Sequence, residues 1–391
     1  MHIAHLVTRL LRAGSEENTL ATCRWQVEAG HRVTLIHGDT HDPFWDQNMP
    51  QGVDRIAVPE MVHQVRPVHD VRAITRLRAL YREIAPDVIH THQSKAGILG
   101  RIAARAVPEA VVAHGIHIVP FEGVSPAKRA LFIAAEKLVA RQTDVFIGVS
   151  EAVGRAYVNA GITRRGRVHC VRSGMDLARF QSPVLPTDWR ELLGVRSGNA
   201  RPRVALMMAA FEPRKRHVAF LQAFAKVAGA MPDLKLLLAG HGPEEARVRA
   251  AVARLGLEEQ VVFCGHRDDP EALFALADLT VLTSEREGLP RVVVQAIAAG
   301  CPMLVHDVPG LDEVVRHERN GWIAKPGDMN GTVQQMCAML DAPSLLDRLR
   351  KGALATDLSA WALNALGAQT TALYGLPVRV PVSRPFTLQA A

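Results

Sequence analysis

Short runs of Val, Ile and Leu alternate along this chain with stretches whose apolar residues recur every three or four positions. The runs at residues 3–7, 33–36, 87–91, 110–113, 145–149 and 168–171 read as strands, and residues 16–29, 70–84, 95–106, 126–141 and 151–160 carry helical spacing between them. Continuous apolar runs separated by helices predict parallel strands covered on both faces. The pattern breaks at residues 181–202, where Pro183, Pro186, Gly194, Gly198 and Pro202 predict a linker with one short helix. A second series follows, with strands at 204–209, 234–239, 261–264, 279–282 and 302–305. Residues 328–374 read as helical, and residues 375–391, with three prolines, as an extended or disordered tail. The expected fold is therefore α/β, with two Rossmann-like doubly wound domains facing a central cleft. Its parts would be residues 1–180, a linker 181–202, a second domain 203–360, and a helix and tail 361–391 packing back on the first domain. Ligands of such folds bind at the carboxyl ends of the strands.

Within the second series, residues 284–300 combine an acidic turn with an apolar helix, preceded by a buried strand and closed by Gly300. Pro290 is a favoured first-turn residue, so a helix N-terminus is expected near Gly288, Leu289 and Pro290. Unpaired N–H groups there could hold a phosphate. Glu287 stands at its mouth, and Gln295 lies about two turns further on.

Composition narrows the classes. With 391 residues and 48% apolar content, the chain has enough material for two cores. No run approaches the ~18 apolar residues of a membrane span. The start reads as a first strand, since no apolar segment and small-residue cleavage site follow it. Cys23, Cys170, Cys264, Cys301 and Cys337 form no C-x-x-C pair, which predicts a reducing cytoplasm and no structural zinc or disulfides. Residues 1–180 hold 23 Lys and Arg against 17 Asp and Glu, and the remainder 23 against 22, so the first half carries the basic field. Arg66, Arg72, Arg76, Arg78 and Arg82 cluster around one predicted helix, and Arg164, Arg165 and Arg167 form a second knot. Such faces attract anionic headgroups or acidic glycans as readily as they form plain solvated surface. With 5% aromatic residues and no recognised module, nucleic acid is not expected as a partner.

Six short motifs, in order, give the chain a family likeness. They are Asp87-Val88-Ile89-His90-Thr91-His92, Gly148-Val149-Ser150-Glu151, Gly174-Met175-Asp176, Ala239-Gly240-His241-Gly242-Pro243, the stretch from Glu287-Gly288-Leu289-Pro290 to Ala296-Ile297-Ala298-Ala299-Gly300, and Pro309-Gly310-Leu311-Asp312-Glu313-Val314-Val315. Taken together, residues 2–374 resemble a retaining glycosyltransferase of family 4 with the GT-B fold, of the type that serves cell-surface polysaccharide or lipopolysaccharide synthesis.

The resemblance implies roles. Glu287 and Gln295 fall on the family's E-x7-E motif, whose first carboxylate lies at the donor sugar and whose second holds the ribose. Glutamine at the second position departs from the motif and exchanges a charged hydrogen bond, about 1.5–3 kcal/mol, for a neutral one of about 0.5–1.5. Lys215 matches the lysine of an R-L-x-x-x-K-G pattern and would neutralise the leaving diphosphate. That pattern's arginine falls at Ala210 and its glycine at Arg216, so Arg214 or Arg216 would have to complete the clamp. Ala13 and Gly14 match a glycine-rich loop after the first strand, equally readable as a turn capping the next helix. For the histidine expected in the cleft, His117 is favoured over His114.

No G-x-G-x-x-G supports an oxidoreductase. His90 and His92 share one face of a strand without a third ligand nearby in sequence, and Asp268 and Asp269 read as a helix cap, so no metal site is expected. The combined reading is a metal-independent glycosyltransferase at the inner face of the plasma membrane. It would use a nucleotide diphosphate-sugar, UDP-sugar in preference to GDP-sugar, and a glycan or lipid-linked acceptor, with peripheral contact to anionic membrane. A sugar-nucleotide epimerase of the same shape and a non-catalytic nucleotide-sugar or glycan-binding protein are the alternatives.

Overall fold

The computed structural model describes residues 1–196 and 199–375. The predicted tail therefore lies, apart from Gly375, outside the described residues. The chain forms two compact units, one of Met1–Met175 together with the chain from Ala360, the other of Asp176–Ser359.

In the first unit, β1 (His2–Val7), β2 (Arg32–His37), β3 (Val53–Ala57), β4 (Val88–His92), β5 (Val111–Ile116), β6 (Val145–Gly148) and β7 (Val168–Cys170) form one sheet in the order β3-β2-β1-β4-β5-β6-β7. Every pairing is parallel. β1, β4 and β6 are buried along their whole length because helices cover both faces. The chain order reverses between β1 and β4, which opens a crevice at their carboxyl ends. The helix Leu363–Ala372 packs on the helix Gly14–Glu28. Gly367 permits this approach, since a Cβ there would meet the Trp25 ring at 2.2 Å. Beneath the sheet, Arg101 and Glu136 form a pair at 2.7 Å with side chains 0% and 1% exposed. Removing either partner would strand the other's charge at a cost of about 3–5 kcal/mol.

In the second unit, β8 (Arg203–Met208), β9 (Leu234–Ala239), β10 (Val261–Gly265), β11 (Leu279–Leu282), β12 (Met303–His306) and β13 (Gly321–Ala324) pair in the parallel order β10-β9-β8-β11-β12-β13. Leu236, Leu238 and Val281 meet Phe220, Phe224, Met336 and Leu349 from the covering helices. Each such side chain contributes about 1.5–3 kcal/mol by leaving water. The reversal here falls between β8 and β11.

Two strands, β3 and β13, were not expected from the sequence. Both lie at sheet edges, β3 as Val-Asp-Arg-Ile-Ala with two residues half-buried and the rest exposed. β3 buries little, so it needs no apolar run and leaves none to find; β13, Gly-Trp-Ile-Ala, is apolar but only four residues long.

Candidate active site

The loops after β8 and β11 meet at the reversal of the second sheet. The first, residues 209–216, is held from below: Ala209 donates to Ala239 O, Phe211 to His241 O, and Glu244 to Phe211 O, at 2.8–2.9 Å. Gly242 is required for this seat, because a Cβ there would lie 2.5–2.7 Å from the backbone of Phe211. The Ala239–Pro243 motif thus has a structural task, fixing the cationic loop. From the other side, Glu285 N donates to Arg214 O at 2.9 Å and the Thr283 hydroxyl to Lys215 O at 3.0 Å.

Stitched in this way, the loops bring three predicted residues into contact. Arg214 Nη1 donates to Glu287 Oε2 at 2.9 Å, and Lys215 Nζ bonds Glu287 Oε1. The Lys215 and Glu287 side chains are 8% and 7% exposed. Burial alone would push the Glu287 carboxyl up, but the charges of Lys215 and Arg214 outweigh it and hold the group below its usual range. Arg214 Nε also donates to Glu212 Oε2 at 2.7 Å, so the two cations are held between two carboxylates, with Glu287 shared by both.

The question of the second cation is answered by geometry within this unit. Ala210 is exposed and brings no charge. Arg216 turns to Glu285 in an exposed pair, so Arg214 is the cation beside Lys215. Arg216 also occupies φ +63°, ψ 28°, a left-handed conformation. A glycine takes it without strain, whereas an L side chain pays about 1–2 kcal/mol.

The helix of this segment runs Arg291–Ala298, with Pro290 in an extended conformation at its N-cap. This corrects the expectation of Pro290 within the first turn. Proline has no N–H, so the amides at this entry belong to Gly288, Leu289 and the first helical residues. Gly288, Leu289 and Pro290 are buried, and Gln295 is half-buried on the helix. Asp269 also departs from expectation: it precedes the helix Pro270–Leu276 but makes no capping bond. Its carboxylate instead holds Arg267, which also reaches Asp188 at 3.0 Å. An arginine offering two bonds outcompetes backbone N–H groups for a carboxylate.

In the first unit, Ala13 and Gly14 are exposed at the start of the helix Gly14–Glu28, Ala13 in extended conformation at the N-cap with no side-chain cap. Next to them stands Gln93, which sequence reading missed. It sits directly after β4 at φ 62°, ψ 176°, a region almost reserved for glycine. Its amide accepts from Thr8 N at 3.1 Å and donates to Ser15 Oγ at 3.2 Å and Glu16 Oε1 at 3.0 Å. Glu16 is buried, which raises its carboxyl despite the bonds from Ser15 and Gln93. No motif or periodicity singles out Gln93, because its strain belongs to the backbone.

His117 follows β5 and is half-buried, with Nε2 3.0 Å from His92 Nδ1. His114 is enclosed, 3.0 Å from Thr91 Oγ1 and edge-on to Phe146. Strand pairing adds the neighbour that the sequence lacked for His90 and His92. His5 lies opposite His90 in register, and one ring nitrogen from each of His5, His90 and His92 falls within 4.8 Å of the others. His5 Nδ1 and His92 Nε2 bond each other directly at 2.9 Å.

Two open parallel sheets of doubly wound order give the chain the architecture of the GT-B class. Models of the glycosyl transferases group 1 family and of the glycosyl transferase 4-like domain match residues 195–355 and 13–174. The chain belongs to the group 1 glycosyltransferases, and is a transferase of that class. EpsD of Bacillus subtilis (strain 168) is 28% identical over 83% of this chain and 84% of its own. The UDP-Gal:alpha-D-GlcNAc-diphosphoundecaprenol alpha-1,3-galactosyltransferase of Escherichia coli is 24% identical over 87% of this chain and 88% of its own. Among solved structures, Anabaena Alr3699/HepE in complex with UDP-glucose superposes with a TM-score of 0.77 at 21% identity, covering 96% of this chain and 100% of that one.

Proposed function

We propose that this protein is a retaining glycosyltransferase that moves a sugar from a UDP-sugar to a glycan or lipid-linked acceptor in cell-envelope polysaccharide synthesis. The observation that carries the reading is the Arg214–Glu287–Lys215 cluster at the reversal of the second sheet. Its two adjacent cations suit a diphosphate, and the carboxylates of Glu212 and Glu287 hold them in place, so they are already organised before the reaction. The second unit is accordingly read as the donor side and the first as the acceptor side. The E. coli relative's UDP-galactose and lipid-diphosphate substrates, and the UDP-glucose in the Anabaena structure, favour UDP-sugar and a lipid-linked acceptor.

In this mechanism the bond from the anomeric carbon to the diphosphate breaks while Lys215 and Arg214 neutralise the charge gathering on the phosphate. The amides of Gly288 and Leu289 add donors there. The acceptor hydroxyl attacks from the face the diphosphate leaves, and a phosphate oxygen takes its proton, so configuration is retained. Glu287 is read as accepting from a sugar hydroxyl and Gln295 as bonding the ribose; His117, in the first unit, is read as meeting a substrate hydroxyl there. With two fixed cations at the phosphates, no protein-bound metal is needed, and turnover should survive EDTA.

Among the described residues no helix is long and apolar enough to cross a membrane. Peripheral contact at the inner face of the plasma membrane is supported by the helix Pro67–Ile84, where exposed Val68 and Val71 adjoin exposed Arg72 and Arg76. Reversing the charge of Arg72, Arg76 and Arg78 should weaken binding to vesicles containing anionic lipid, and unchanged binding would remove that patch from the proposal.

The decisive experiment is a thermal-shift panel of UDP, GDP and their sugars, followed by transfer assays on lipid-diphosphate acceptors. Stabilisation by UDP and acceptor-dependent UDP release support the reading. Turnover of the UDP-sugar without acceptor would mark an epimerase, and binding without any turnover a non-catalytic protein.

A further inference from the structure

Inside the first unit, a chain of hydrogen bonds ends at His117, and its direction follows from one amide. Gln26 is fully buried on the helix Gly14–Glu28. Its amide nitrogen donates to Thr371 Oγ1 and to the Tyr374 hydroxyl, both at 3.2 Å. Both N–H groups are thereby used, and Oε1 is turned to His5 Nε2 at 2.8 Å. A carbonyl oxygen only accepts, so His5 must carry its proton on Nε2.

From there each ring leaves its neighbour one choice. A neutral imidazole has a single N–H. His5 Nδ1 is therefore a lone pair, and His92 Nε2, 2.9 Å away, donates to it. His92 Nδ1 in turn accepts from His117 Nε2 at 3.0 Å. The same end sets His90: the Tyr374 hydroxyl, having accepted from Gln26, donates to His90 Nδ1 at 2.8 Å. Burial supports neutral rings throughout, holding His5 and His117 at about 4 and His92 well below the usual range.

We infer that Gln26, His5 and His92 are positioning residues that lock His117 as its Nε2–H tautomer, so that its remaining nitrogen, Nδ1, is an acceptor for a hydroxyl of the bound substrate. The use of Nδ1 by substrate rests on the proposed donor site; the locked tautomer does not. The lock is anchored by Thr371 and Tyr374, at and just beyond the end of the helix Leu363–Ala372, so the chain's return to the first unit sets the chemistry at His117. Turning the Gln26 amide over would reverse every bond and leave His117 with its proton on Nδ1, as a donor.

The test reads ring nitrogens directly. In full-length protein with 15N-labelled histidine rings near pH 7.5, two-bond proton–nitrogen correlations should show His117 protonated at Nε2 and bare at Nδ1. Gln26→Leu, which removes the terminal acceptor, should give mixed tautomers at His117 and lower kcat by about 10-fold, the worth of one neutral hydrogen bond, with a smaller change in KM. Gln26→Glu keeps an acceptor beside His5 and should restore both the tautomer and most of kcat. Should Gln26→Leu fail to fold, Thr371→Val combined with Tyr374→Phe releases the amide while keeping Gln26 in place, and should also mix the tautomers. A wild-type His117 protonated at Nδ1, or the same tautomer in every variant, overturns the inference. Undiminished turnover in His117→Ala would instead remove His117 from the donor site while leaving the tautomer result standing.

Discussion

Glu287→Gln separates charge from shape at the centre of the proposed site. The amide keeps the carboxylate's outline but takes the counter-charge from Lys215, 8% exposed, while Arg214 keeps its pair with Glu212. The amide nitrogen cannot accept, so one of the two bonds to residue 287 is lost outright and only the other cation keeps an acceptor, the amide oxygen. Breaking a buried pair adds the cost of the stranded cation, so the total should be about 3–5 kcal/mol. For a unit of this size that is roughly a 10 °C fall in melting temperature. The carboxylate also competes with a diphosphate for the same two cations. Once it is neutral, UDP should stabilise the variant more than the wild-type protein, even as turnover falls by about 100-fold. Differential scanning fluorimetry with a UDP titration at low ionic strength, paired with UDP-release assays on a lipid-diphosphate acceptor, measures all three. A melting temperature within about 2 °C of wild type, or a smaller UDP shift in the variant, would refute the electrostatic argument. Lys215→Ala gives the complementary result, a weakened UDP shift together with lost transfer.

Three further outcomes are expected. Gln295→Glu should tighten UDP by up to about 10-fold if residue 295 meets the ribose, the difference between a charged and a neutral bond, and isothermal titration that shows no change would exclude that contact. Arg216→Gly relieves a left-handed side-chain conformation and loses an exposed pair with Glu285 worth at most about 1 kcal/mol, so urea unfolding should show neutral to slightly stabilised protein; a loss above about 1 kcal/mol counts against it. The third concerns acid: His5, buried with its ionisation held at about 4 against 6.5 unfolded, contributes stability above pH 6.5 that is lost as pH falls toward 4, about 3 kcal/mol in full. His90, His92 and His114 act in the same direction and Glu16, raised by burial, in the opposite one. The urea midpoint should therefore drop between pH 7 and pH 5, and an unchanged midpoint would contradict the neutral histidine core.

The interior strands were legible because burial on both faces demands uninterrupted apolar runs, and the residues in those runs are local in sequence. The edge strand β3 was not, since it buries little and carries no apolar run. Of the site, Lys215 and Glu287 were found as separate candidates, 72 positions apart, from a cationic turn and a helix start. That Arg214 and not Arg216 joins them was decided by the left-handed turn at Arg216, which sends its side chain to Glu285. Pro290 was misplaced by one helical position, because a proline can close a loop as well as open a helix.

What the sequence determined alone is the doubly wound series and the chemistry stored in its loops, since both follow from local composition and order. Tertiary structure decided which distant groups share a hydrogen bond. Gln93 was invisible because nothing in its neighbours' sequence announces a strained backbone. The histidines at 5, 90, 92 and 117 became one chain only when parallel pairing set β1 against β4 and brought Tyr374 back beneath them. Register and return of the chain are global properties, fixed by the packing of the whole sheet rather than by any segment of it.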